Sequence, residues 1–200
     1  MTQFEVVCTV EKISEQYLMP AIEQLLDCFS FVIQGFHSDN GPEYINYKVA
    51  ALLQKLLIEF TKSRSRQTND NALVESKNGS VVRKLFGYAH IAQRWAPLIN
   101  EFNHSTLLPY INYHRPCFFP KTITNSKGKG KKIYPYEGMM TPYDKLKSIE
   151  NAKNYLKPDI TFEILDKVAL NQTDDQAAEQ LQKERAKLFK TINERVLKSG

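Results

Sequence analysis

The chain has 200 residues, 42% hydrophobic and 24% charged, which excludes a disordered polymer and allows one ordinary domain with an appendage. A formal charge of +5 and an isoelectric point near 9.0 point weakly to a polyanionic partner. No apolar run reaches the roughly 18 residues of a membrane span, the N-terminal stretch is not expected to be a signal peptide, and Cys8, Cys28 and Cys117 lack metal-ligand spacing and read as reduced, small apolar fillers.

In chain order, QFEVVCTV (3–10) is β-branched and apolar and predicts a strand. SEQYLMPAIEQLLDCF (14–29) places Leu18, Ile22, Leu25, Leu26 and Phe29 at helical spacing, with a start between Ser14 and Met19 because Pro20 fits best in a first turn. FVIQGF (31–36) predicts a short buried strand, YINYKVAALLQKLLI (44–58) an apolar helix, and EFTKSR (59–64) a strand entering the polar loop SRSRQTNDN. A helix is expected over 71–89, and another around Trp95, Leu98, Ile99 and Phe102, running toward YHRP (113–116). This alternation predicts an α/β layer.

After Pro116 the texture changes, and a boundary is placed there: residues 1–116 as the main domain, 117–200 as a mostly helical extension. KGKGKK (127–132) reads as a basic, flexible loop. The segment from Asp174 to Ser199 reads as an amphipathic helix, with Ala177, Ala178, Leu181, Leu188 and Ile192 among alternating charges.

Two acids stand out by context. Asp39, in FHSDNGPEYIN, ends the expected second strand, and Glu75 lies at the start of the helix after the third, with 35 residues between them. A strand end and a neighbouring helix start can face one crevice at a sheet edge, where ligands of open α/β sheets bind. Two carboxylates sharing a crevice repel unless a proton or cation intervenes. They are hard oxygen ligands suited to Mg²⁺, and such ions serve phosphodiester attack. A competing reading makes Asp39 an Asx-turn residue before Gly41. Glu75 has no capping box to explain it, since Ala72 stands three residues earlier; a favourable interaction with the helix dipole remains. On an ideal helix Asn78, Gly79 and Val82 share its face.

Between Lys62 and Arg94 the chain carries Lys62, Arg64, Arg66, Lys77, Arg83, Lys84 and Arg94 against Asp70 and Glu75. Arg64, Arg66, Lys77, Arg83 and Lys84 are phosphate-contact candidates, with a solvated surface as the alternative. His37 shares a strand face with Asp39 and is either a ligand or a hydrogen-bonded structural residue. Trp95 and the tyrosines are expected to pack rather than to stack on bases.

Together, HSDNGPEYIN, TKSRSRQTNDNALVESKNGSVVRKLFGY and the YHRP segment resemble the integrase catalytic core of DDE transposases from bacterial insertion sequences, a group shared with retroviral integrases. The resemblance covers roughly residues 1–116 and implies a ribonuclease H-like fold. It also implies metal-dependent DNA cleavage and strand transfer, with three acids holding two Mg²⁺ or Mn²⁺ ions. Asp39 matches the second acid and Glu75 the third.

No residue here matches the first Asp, which the family carries on a strand upstream of the segment resembling TQFEVV. The expectation is therefore a core lacking its first two strands and impaired in catalysis. The partners implied are DNA and either a second copy or an intact transposase, in the nucleoid of a bacterial cytoplasm. A second reading is a non-catalytic DNA-binding or oligomerisation fragment that modulates an intact transposase. A third is a small nuclease with another third acid, such as Glu5.

Overall fold

A computed structural model describes residues 2–38, 47–62, 76–124, 128 and 130–198. The chain divides into two compact units, one of residues 6–101 and 188–200, the other of residues 1–5 and 102–187. These cuts fall elsewhere than the change of sequence texture at Pro116.

In the first unit, α1 (Glu15–Asp27) begins just after Ser14, so Pro20 sits inside the helix rather than in its first turn. Its buried stripe, Leu18, Ile22 and Leu26, follows the i, i+4, i+8 spacing legible in the sequence. β1 (Gly35–Ser38) and β2 (Glu59–Lys62) pair in parallel, in the register Gly35↔Glu59 to Ser38↔Lys62. α2 (Tyr47–Lys55) lies between them in the chain, as a parallel pair requires a crossover. Val49 and Leu53, both fully buried, join the α1 stripe and Ile58 in one core, with Ile33, Phe36, Leu52 and Phe60 packed against it. Phe36 and Phe60 face each other across the strands at 6.0 Å. Each fully buried aliphatic side chain contributes about 1.5–3 kcal/mol. An ion pair between Lys48 and Glu15 adds little at this exposure.

The expected strand over 3–10 does not form. Val6–Val10 make no main-chain ladder among the described residues. A side-chain amide stands in for a partner strand: Thr9 N–H donates to Asn100 Oδ1 and Asn100 Nδ2 donates to Thr9 C=O, both at 2.8 Å. β-branched composition describes a surface fit for pairing, not the presence of a partner. The remaining elements are a helical stretch from Ser76 to Phe86, and α4 (Ala96–Phe102), entered through a 3₁₀ turn at Gln93–Trp95. The Ser76–Phe86 stretch ends in α3 (Lys84–Phe86), which stops at Gly87 with φ 75°.

In the second unit, π-wound turns at Asn103–Leu107 and Tyr110–His114 bury Leu107, Ile111 and Asn112. Asn112, 0% exposed, accepts from Glu5 N–H and donates to the carbonyls of Glu5 and Leu108. The end of the basic stretch expected as a loop is strand instead: β4 (Gly130–Ile133) takes in Gly130, Lys131 and Lys132 and pairs antiparallel with β3 (Lys121–Thr124), while Lys127 and Lys129 lie outside the described residues. α5 (Pro142–Lys147) is capped by Thr141, which accepts from Asp144 N–H, and α6 (Phe162–Ala169) by Thr161. α7 (Asp174–Lys198) opens on a reciprocal capping box, Thr173 with Gln176. Ala177 and Leu181 are buried in this unit, and Leu188 and Ile192 in the other. No described helix is long and apolar enough to cross a membrane.

Candidate functional site

β1 and β2 run in parallel, so their C-terminal ends lie at the same edge. Asp39 is the residue after Ser38, where β1 stops, and the segment 63–75 leaves β2 at Lys62. Glu75 immediately precedes Ser76, where the described helical stretch begins. Asp39, Glu75, Arg64 and Arg66 themselves lie outside the described residues. What the described residues give is that the strand ends from which these two segments depart, Ser38 and Lys62, are register partners at one edge of the sheet.

His37 Nδ1 is 2.8 Å from Thr61 Oγ1, its register partner on β2. That bond explains the histidine structurally. Beyond it, Ser38 is 6% exposed, so the strand end is sealed on its own side.

Of the phosphate-contact candidates described, Lys77 is half-buried while Arg83 and Lys84 are exposed. The Arg83 guanidinium lies 5.5 Å from the ring centroid of the exposed Tyr88, and Arg94 similarly covers Trp95 at 5.4 Å. Trp95, 6% exposed, packs in the core as expected. The tyrosines divide: Tyr143 is buried, whereas Tyr47, Tyr88 and Tyr136 are exposed. The winding over Asn78–Arg83 is π, so the face-sharing of Asn78, Gly79 and Val82 derived for an ideal helix does not carry through this turn. A Cβ at Gly79 would meet no atom of the described residues within 4 Å.

Among the described residues no group of three His, Cys, Asp or Glu side chains could hold a metal ion. Asp39 and Glu75 fit a hard divalent cation in donor chemistry, and by number they are fewer than the three acids of the resembled family. All three cysteines are free thiols. Burial, then the neighbouring Cys28, pushes the Cys8 thiol up from its ordinary range.

The second unit holds a cleft of about 310 Å³ that the sequence did not disclose. His114, 3% exposed, forms part of its wall, with Nδ1 3.1 Å from Asp174 Oδ1 at the start of α7. Ser105, Thr106, Lys167, Asn171, Gln172 and Gln180 complete its polar lining. His114 and Asp174 are 60 positions apart, and only the fold brings them together.

No protein-family model matches the chain. Over 101 residues it is 32% identical to the uncharacterized protein y4rM of Sinorhizobium fredii. That match spans 50% of the present chain and 29% of the relative's length.

Proposed function

We propose that this chain is a DNA-binding, transposase- and integrase-like protein of DNA integration and transposition, impaired in catalysis when it acts alone. The observation that carries the reading is the pair Asp39 and Glu75, with 35 residues between them, inside HSDNGPEYIN and NDNALVES. The parallel β1–β2 pair supports it, since the two segments concerned meet the sheet at one edge. Asp39 and Glu75 would hold Mg²⁺ or Mn²⁺. Bound there, the ion would supply activation of a water or 3′-hydroxyl for attack on a phosphodiester. Arg64, Arg66, Lys77, Arg83 and Lys84 hold DNA phosphates, which position the duplex without reading its sequence. A nucleoid-associated place in a bacterial cytoplasm follows from that partner.

With two of the family's three acids matched, the chain lacks a complete ligand set for strand transfer. The test is a Mg²⁺-dependent cleavage and strand-transfer assay on purified protein with duplex DNA. Binding without turnover is the expected result. Turnover that Asp39→Asn abolishes would overturn the claim of impairment.

A further inference from the structure

The longest acid-free stretch of this chain runs from residue 102 to 136, and it contains Arg115 and five lysines. Its distal half forms the β3–β4 ribbon. Every strand residue of that ribbon except Ile133 is exposed, including Ile123 at 51%. A two-stranded hairpin with neither face buried is marginally stable by itself. Its exposure therefore calls for a partner that rewards charge rather than apolar burial.

The register tells which partner. Directly opposed residues of an antiparallel pair share a face. Lys121↔Ile133 and Ile123↔Lys131 fall on one face, Thr122↔Lys132 and Thr124↔Gly130 on the other. The ribbon is thus basic on both faces: Lys121 and Lys131 on one, Lys132 on the other. A flat anionic surface engages one face and leaves the other's charge in water. A groove walled by phosphates on two sides engages both. The major groove of B-DNA, about 12 Å wide, admits a two-stranded β-ribbon, and four residues of strand span about 13 Å along it. Gly130 keeps the ribbon slim beside Thr122, its diagonal neighbour on the same face: a Cβ there would lie 3.1 Å from Thr122 Cγ2.

We propose that the β3–β4 ribbon is a DNA-contacting arm that lies in a groove of duplex DNA, with Lys121 and Lys131 toward one phosphate wall and Lys132 toward the other. The inference rests on the DNA-binding reading above but not on the acidic pair. It gives the second unit a role that Arg83 and Lys84, in the first unit, do not fill.

The experiment is fluorescence anisotropy of the full chain with a labelled DNA duplex at several salt concentrations. Three variants enter it: Lys121→Ala with Lys131→Ala, Lys132→Ala alone, and all three together. These side chains are exposed, so circular dichroism should match the wild type. Each phosphate contact adds about 0.9 to the slope of log K against log salt. The triple variant should therefore lose about 2–3 of that slope and bind at least tenfold more weakly. Both single-face variants should lose part of it.

An unchanged slope in the triple variant overturns the proposal, as does a loss confined to one face. So does tighter wild-type binding to phosphatidylserine vesicles than to duplex, abolished in the triple variant. If the wild type holds no duplex at all, the DNA-binding reading falls as well. If it holds duplex through Lys77, Arg83 and Lys84 alone, only the ribbon falls.

Discussion

At the scale of single residues, the second unit is held by polar groups that close on each other. The Tyr143 hydroxyl donates to Asp166 Oδ1 at 2.7 Å, and Lys147 Nζ reaches the same oxygen at 2.6 Å. Lys147, and after it Tyr143, hold the Asp166 carboxyl below the usual aspartate range. A carboxylate depressed in this way contributes stability above its unfolded pKa, about 4, and loses it as pH falls through the folded value. Burial first, then the bond to Asp166, pushes the Tyr143 phenol up. Its contribution is full below about pH 10 and lost as pH rises beyond. Thermal melts across the acid range should show Asp166→Asn with a flatter acid limb than the wild type. Parallel limbs would show that the clasp has no part in acid unfolding.

Asn100 and Asn112 make a related point about legibility. Each grips the backbone of a residue 91 or 107 positions away, and an asparagine in a sequence carries no trace of so distant a partner. The strand expected over 3–10 failed for the same reason. Its composition is right for pairing, and pairing depends on what else the fold brings alongside.

Among elements, those with apolar spacing were readable. α1, α2 and α7 lie where Leu18, Ile22 and Leu26, Val49 and Leu53, and Leu188 and Ile192 place them. The β3–β4 ribbon was not readable, because lysine and glycine are poor strand formers and no buried face imposes alternation. The π winding over Asn78–Arg83 was equally hidden, since residue composition signals a helix without distinguishing i→i+5 from i→i+4 hydrogen bonding.

α1 carries a testable cost. Pro20 removes the hydrogen bond to the carbonyl of Gln16 and crowds that turn. An interior proline costs about 3 kcal/mol, less about 0.4–1 kcal/mol that it returns by restricting the unfolded chain. Pro20→Ala should stabilise the chain by about 2 kcal/mol in urea denaturation. A loss of stability would mean that the proline sets a geometry that the core around Leu18 and Ile22 requires.

For the whole molecule, the two compact units divide the work proposed here. The first carries the strand ends at Ser38 and Lys62 from which the Asp39 and Glu75 segments depart, and the second carries the basic ribbon and the His114–Asp174 cleft. The acidic pair is read from spacing and context in the sequence, and both its residues lie outside the described ones, whereas the cleft required the fold. The central claim is that Asp39 and Glu75 are metal ligands rather than turn and helix-dipole residues. Calorimetric titration of the purified chain with Mn²⁺ tests it most directly. The account predicts a site that Asp39→Asn and Glu75→Gln each abolish and Glu5→Gln leaves intact. Absence of Mn²⁺ binding, or binding indifferent to Asp39 and Glu75, would contradict it.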